Sequence, residues 1–282
     1  MAHESQTART VALSQVMGIV NVTPDSFSDG GRWASTAAAV DQAMRLVAEG
    51  ADVLDIGGES TRPGADPVGE GEEIDRVAPV IAGVRARWGG PISVDTMKPA
   101  VARAAVAAGA TMWNDVTALG HAPDSMAVAA ELGCEVVLMH MKGEPRTMQA
   151  DPQYGDVVAE VRDYLRGRAE AAMAAGVARE KIWLDPGMGF GKTLDHNMAL
   201  TARLGELVGL GFPVLYAASR KRTIQAIDPT AVEATDRLGG SLALALEGAR
   251  RGARMVRVHD VRETLQALAV QAAVCQAASL RR

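Results

Sequence analysis

Met17-Gly-Ile-Val-Asn-Val-Thr-Pro-Asp-Ser-Phe-Ser-Asp-Gly-Gly31 begins as an apolar, β-branched run and breaks at Asn21 into Thr, Pro, Asp, Ser and paired glycines. Such a run suits a strand buried on both faces of a parallel sheet. The break crowds polar groups at the strand's end, the edge at which α/β proteins bind ligands. The same pattern recurs along the chain. Apolar β-branched runs fall at residues 16–21, 53–57, 92–95, 111–115, 135–140, 181–185, 213–218 and 255–259. Between them lie alanine-rich segments with helical spacing, such as 36–48, 74–87, 99–108 and 157–175. The stretch after Val261, with Leu265, Leu268 and Val270, also reads as an amphipathic helix.

Eight strand–helix units in about 250 residues predict a single-domain α/β fold, the (β/α)8 TIM barrel. A doubly wound open sheet is the runner-up, because alternation alone does not distinguish closure from an open edge. No Pro/Ser-rich linker or charge run marks a second domain, so residues 1–12 are read as a tail and 13–282 as the barrel. The hydrophobic fraction of 48% is enough for a sizeable core. A net charge of −5 argues against a nucleic-acid partner, which asks for a basic surface. The N-terminus lacks the apolar core of a signal peptide, and no apolar run approaches the ~20 residues of a membrane span. A cytoplasmic protein with no membrane partner is expected. The two cysteines, Cys134 and Cys275, sit in apolar surroundings and read as buried thiols rather than a disulfide or a metal pair.

The strand ends are chemically loaded. In order they carry Asn21, Asp55 with Gly57-Gly58, Asp95, Asn114-Asp115, His140, Asp185, Ser219-Arg220-Lys221 and Arg257-Val-His-Asp260. Helix capping explains two or three such positions, not eight. A barrel built only for stability would not load one rim with groups that are costly to bury. An active site at the C-terminal mouth is therefore expected. Gly187-Met-Gly-Phe-Gly-Lys192 is not a phosphate-binding P-loop: it is one residue short and has Pro186 where that motif needs glycine. The five histidines are scattered and form no metal-ligand pattern.

Together these segments resemble the dihydropteroate synthase family over almost the whole chain. The opening stretch is similar to its first signature, and Gly50-Ala-Asp-Val-Leu-Asp-Ile-Gly-Gly-Glu-Ser-Thr-Arg-Pro-Gly64 to its second. Ser93-Val-Asp-Thr96 with Lys98-Pro99, Trp113-Asn-Asp115 and Leu138-Met-His-Met-Lys-Gly143 follow in the family's order. Leu184-Asp-Pro-Gly-Met-Gly-Phe-Gly-Lys192, Ser219-Arg-Lys-Arg222 and Arg257-Val-His-Asp260 complete the series. The resemblance implies condensation of 6-hydroxymethyl-7,8-dihydropterin pyrophosphate with p-aminobenzoate, giving 7,8-dihydropteroate and pyrophosphate. It assigns the pterin to Asp95, Asn114, Met139, Asp185 and Lys221, since the flat ring's amino edge needs acceptors and its carbonyl a donor. Pyrophosphate would meet Arg62, Arg257 and His259, with Asn21 as the ligand of a Mg²⁺ ion that leans on phosphate oxygens and water. The aminobenzoate slot would take Phe27, Thr61, Pro63, Phe190, Ser219 and Lys221. Phe27 and Phe190 are two of only three phenylalanines, and both lie in glycine-rich rim motifs rather than in strands.

The implied chemistry is SN1-like: pyrophosphate leaves before the weakly nucleophilic amine attacks. Asp95, Lys221, Arg257 and His259 would supply the electrostatics. Asp29 would guard the cation or accept the amine's proton. The loops at about 21–35 and 58–73 are expected to be long and to close over the site. Ala217 and Trp113 depart from the family's pattern and put pterin affinity in question. The second signature carries no insertion, so ordinary sulfonamide sensitivity is expected. Rival readings are a catalytically silent pterin-binding paralogue and a methyltetrahydrofolate-binding, corrinoid-linked methyltransferase. A homodimer is implied, with residues 241–249 and 265–278 as close-packing helices or simply barrel cover.

Overall fold

The computed structural model describes residues 14–22, 31–60, 66–143 and 147–279, and among these the side chains of all but 31–35 and 279. The tail at 1–12 lies outside them. Eight strands run parallel: β1 (Gln15–Asn21), β2 (Val53–Gly57), β3 (Ile92–Asp95), β4 (Met112–Asp115), β5 (Glu135–Met139), β6 (Ile182–Asp185), β7 (Leu215–Tyr216) and β8 (Met255–Val258). Their order is β6-β5-β4-β3-β2-β1-β8-β7, and a parallel bridge between Leu184 and Val214 joins the two ends. The sheet closes into a (β/α)8 barrel. Around it lie α1 (Gly31–Glu49), α2 (Glu70–Arg85), α3 (Pro99–Ala107), α4 (Ser125–Leu132) and α5 (Val157–Ala174). The ring continues through α6 (Leu194–Ala202), α7 (Gly205–Val208), α8 (Arg222–Ile227), α9 (Leu238–Arg250) and α10 (Val261–Ser279).

Strand periodicity sets the site. One side-chain set of the strands, including Val16, Leu54, Ile92, Trp113, Leu138 and Val256, joins the large core beneath the helices. The other set forms a separate plug inside the barrel: Met17, Val53, Met112, Val137, Trp183, Leu215 and Met255. Because side chains alternate with period two, the residues two positions further along share the inner face. On β2, β4, β5, β6 and β8 those are Asp55, Asn114, Met139, Asp185 and Arg257. Asp95 joins them through its register partners Gly57 and Asn114. The polar residues thus stand one layer above an apolar plug, facing the C-terminal mouth.

The structure corrects several sequence expectations. Helix α1 begins at Gly31, so the first loop ends before residue 35; α2 begins at Glu70, inside the expected second loop. Glu70, Glu72 and Glu73 in its first turn favour helix there, carboxylates being stabilised at a helix N-terminus. Strand β7 keeps only two residues of the expected six, since Pro213 has no N–H for the ladder and Ala217 onward turns into the site loop. Cys134 is buried as expected, but Cys275 is exposed, because the last turns of α10 leave the barrel wall. Trp113 faces the helices rather than the mouth, and its Nε1 donates to Thr96 O at 2.7 Å. Its bulk therefore falls away from the site. Among the described residues, no helix is long and apolar enough to cross a membrane.

Candidate active site

The floor of the mouth is a charged quartet. Arg257, on β8, donates from Nε to Asp55 Oδ2 at 2.5 Å and from Nη2 to Asp95 Oδ2 at 2.8 Å. Asn114 Nδ2 donates to the same Asp55 oxygen at 3.1 Å. Asp55 is fully buried, and among the described residues Asp55 Oδ1 and Asp95 Oδ1 have no hydrogen-bond partner. Burial pushes the Asp95 carboxyl up to about 7, although the Arg257 guanidinium beside it pulls the other way. Burial would also lower Arg257, but Asp55 and Asp95 more than offset it and hold the guanidinium charged. Two acceptors without donors beside a fixed cation make a surface suited to a flat ligand with an N–H edge.

The wall above it comes from β6 and the loop that follows. Asp185 Oδ1 accepts from Gly187 N at 2.7 Å, and burial raises its pKa while Lys221 opposes the shift. Lys221 donates to Met188 O, and its ammonium lies 4.4 Å from the centre of the Phe190 ring. Burial lowers Lys221 to about 8, with Asp185 resisting. Gly187 must be glycine: its φ is +68°, and a Cβ there would stand 1.9 Å from His140 O. Lys192 folds inward beneath this loop and donates to the carbonyls of His140, Gly187 and Phe190.

The rim opposite is built from β7 and β8. Ser219 Oγ lies 3.0 Å from His259 Nδ1 and accepts from His259 N at 3.2 Å. Arg220 adopts φ +58°, unusual for a residue with a side chain, and bridges to Asp260 through both Nε (3.0 Å) and Nη2 (2.5 Å). Buried Arg237 holds that turn by donating to Arg220 O at 3.0 Å, and Ser241 Oγ accepts from Arg220 N at 2.9 Å. Asn21 closes the circle at the end of β1, half-buried and opposite Gly57. Among the described residues, no cluster of three or more His, Cys, Asp or Glu could hold a metal. A single amide oxygen at Asn21 suits Mg²⁺ only alongside phosphate oxygens. Of the residues expected from sequence, Asn21, Asp95, Asn114, Met139, Asp185, Phe190, Ser219, Lys221, Arg257 and His259 all lie at this mouth. Phe27, Asp29, Thr61, Arg62 and Pro63 lie outside the described residues.

With this geometry, the comparisons are specific. A model of pterin-binding enzymes matches residues 17–259. The dihydropteroate synthase of Escherichia coli (strain K12) is 46% identical over 276 residues, which cover 98% of this chain and 97% of that one. The chain belongs to the dihydropteroate synthase family. The Xanthomonas albilineans dihydropteroate synthase, solved with 4-aminobenzoic acid, superposes with a TM-score of 0.87 at 51% identity over 94% of each chain. The same synthase in complex with 7,8-dihydropteroate gives 0.84 at 49% identity, over 94% of this chain and 95% of that one. The Yersinia pestis synthase with a sulfonamide drug gives 0.88 at 43%, over 96% and 98%. Dihydropteroate synthases are transferases, so the mouth is the candidate active site of an enzyme.

Two parts of this dihydropteroate synthase-family site were not read from the sequence. Asp55 was noted only as a strand end, although its parity with Val53 already places it on the inner face. The second is an ion cluster at the root of the second loop. Lys98 Nζ lies 2.7 Å from Glu59 Oε2 and 2.5 Å from Glu73 Oε2, with all three side chains buried. Glu59 Oε1 also accepts from Val68 N at 2.9 Å, tying residue 68 back to the end of β2. These partners are far apart in sequence and form no local motif.

Proposed function

We propose that this chain is a dihydropteroate synthase of folate biosynthesis, joining 6-hydroxymethyl-7,8-dihydropterin pyrophosphate to p-aminobenzoate. The observation that carries this reading is the Asp55–Arg257–Asp95 floor with its two unpartnered oxygens, flanked by Asn114, Asp185 and Lys221. A pterin's amino and N–H edge supplies the missing donors, and Lys221 faces its carbonyl side. Met139 forms part of the apolar wall. The relatives crystallised with 4-aminobenzoic acid and with 7,8-dihydropteroate support the pairing of substrates.

In the proposed path the C–O bond to the pyrophosphate breaks first, leaving a cation on the pterin methylene. The aryl amine then forms the C–N bond and loses one proton, with Asp29 as the residue proposed to receive it. Asp95 and Asp185 balance the cationic ring. Arg62 and His259 stabilise charge on the departing oxygens, and Arg257 completes the same cationic rim. Asn21 would hold Mg²⁺ together with the pyrophosphate, and the ion's chemistry there is charge neutralisation on the leaving group. Ser219 binds the aminobenzoate carboxylate, and Phe27, Thr61, Pro63, Phe190 and Lys221 enclose its ring. We further propose a cytoplasmic homodimer that sulfonamides inhibit by competing with p-aminobenzoate.

The test is pyrophosphate release from the dihydropterin substrate with Mg²⁺, with and without p-aminobenzoate. Amine-dependent release with formation of dihydropteroate supports the proposal. Tight pterin binding without product would make the protein a silent pterin binder instead. The pH dependence gives a second test. With Asp95 near 7 in the empty site, a pterin that donates to its carboxylate favours the ionised form. Below that pH binding must first remove a proton, so affinity rises with pH and levels off above it. Calorimetric titration between about pH 5.5 and about pH 7.5 should show a gain of up to about tenfold per unit, and a flat profile would reject Asp95 as an acceptor.

A further inference from the structure

The Gly187–Lys192 loop carries a buried lysine that the proposed chemistry does not use; burial lowers its pKa to about 7, with Asp185 resisting. Lys192 Nζ is 3.1 Å from His140 O, 2.9 Å from Gly187 O, 3.0 Å from Phe190 O and 2.9 Å from His140 Nδ1. Its side chain is almost fully buried. An ammonium has three protons and no acceptor capacity, so three carbonyls and one imidazole nitrogen saturate it. His140, buried beside this cation, has its pKa pulled down to about 3 and presents a neutral ring. The consequence lies in what the carbonyls bracket. Met188, between Gly187 and Phe190, supplies the oxygen that receives Lys221, and Phe190 supplies the ring against which Lys221 packs.

We infer that Lys192, with His140 as its acceptor, is a positioning residue that fixes the shape of the loop and through it the placement of Lys221 and Phe190. Lys192 does not touch substrate. In a loop of three positive-φ glycines (Gly187, Gly189 and Gly191) it supplements the backbone bond from Phe190 N to Gly187 O at 3.1 Å by tying three carbonyls together. Without the ammonium, three carbonyls lose a shared donor, and the loop has no other described bond at Phe190 O. The inference rests on the proposed function only in its kinetic consequence. The placement of Lys221 can be read without turnover.

The experiment uses the full chain as wild type, Lys192→Met, His140→Leu and His140→Asn. Competitive acetylation read by mass spectrometry follows Lys221 against Lys181 on the far side of the barrel. Compared at a pH where both amines are the free base, Lys192→Met should raise relative Lys221 labelling by about fivefold or more, because release from burial opens the amine to the reagent. His140→Leu should raise it by about twofold, and His140→Asn, which keeps an acceptor near the Nδ1 position, should stay close to wild type. In kinetics, Lys192→Met should raise the KM of both substrates, that of p-aminobenzoate by about tenfold, since Lys221 serves both and Phe190 the second alone. Unchanged labelling in folded Lys192→Met would overturn the inference, as would a lowered Tm with every kinetic constant intact. If Lys192→Met is insoluble, His140→Leu decides by the same criterion. A wild type without condensation activity whose variants still unmask Lys221 would overturn the proposed function and uphold the positioning role.

Discussion

Lys98→Met should cost the fold about 3–5 kcal/mol, because it leaves two buried carboxylates without their only shared cation. Glu73 is fully buried with one oxygen already unpartnered, and Glu59 is nearly so. Thermal unfolding should register a loss on the order of 10 °C. Removing the stranded charge as well, in Lys98→Met/Glu73→Met, should recover more than half of that loss, since a buried pair exchanged for apolar side chains is often near neutral. The pH sign is fixed by the direction of the lysine's shift. Burial would lower the Lys98 pKa, but the hydrogen bonds it donates to Glu59 and Glu73 outweigh it and raise it. The stabilisation is therefore fully present below the ordinary lysine range and is lost only as pH climbs through the raised value. Across neutral pH the lysine itself adds no pH dependence, but the stranded carboxylates favour a proton, so the penalty of the substitution should grow as pH rises. Activity should fall with stability, because Glu59 roots the loop that carries Arg62. A single variant melting within about 2 °C of wild type would show that the cluster does not hold the barrel wall.

The barrel could be read from the chain because strand and helix runs are strongly periodic and their ends are polar. Residues 53–57 and 92–95 were placed without error, and the other strands to within a few residues, the losses falling where backbone pairing stops rather than where sequence changes. His140 and His259 lie just past the ladder for that reason. Helices α4, α7 and α8 are not individually legible, since four to eight residues give too few turns for a period to emerge. Helix α6 is hidden by the glycine-rich motif that runs into it, whereas α3, of the same nine residues, starts on Pro99 and is alanine-rich. Parity carried most of the site: Asp95, Asn114, Asp185 and Arg257 are inner-face residues that any period-two reading puts together. Parity does not say who bonds to whom. That Arg257 engages Asp55 and Asp95 depends on barrel closure, which brings β8 beside β1 and across from β3. The Glu59–Glu73–Lys98 cluster and the inward turn of Lys192 depend on loop paths and have no local signature at all. Cys275 shows the converse error: apolar neighbours in sequence imply burial only if the helix bearing them remains on the wall.

Arg257→Met should lower kcat/KM by about 10³-fold or more, equivalent to about 4 kcal/mol of transition-state stabilisation. On the proposed reading the guanidinium does two things at once. It counters the burial that pushes Asp95 up and holds both floor carboxylates in register for the pterin edge, and it adds a cation beside the leaving group. Arg257→Lys keeps the charge but cannot span Asp55 and Asp95 with one fork, so it should recover only part of the loss. Stability separates these roles. Without the guanidinium, two adjacent carboxylates on an apolar plug cannot both ionise cheaply, and the folded state retains a proton that the unfolded chain releases. A folded state that binds more protons loses stability as pH rises, so Arg257→Met should melt progressively earlier from about pH 5 to about pH 8, more steeply than the wild type, in which the raised Asp95 carboxyl alone gives such a loss up to about pH 7. Adding Asp55→Asn should flatten that dependence by removing one carboxylate, yet leave turnover as low as before, since neither change restores a cation at the mouth. Activity within tenfold of wild type in Arg257→Met would mean that the quartet holds the barrel together but takes no part in the reaction. A melting profile no steeper than that of the wild type, with the activity lost, would place Arg257 in the reaction alone.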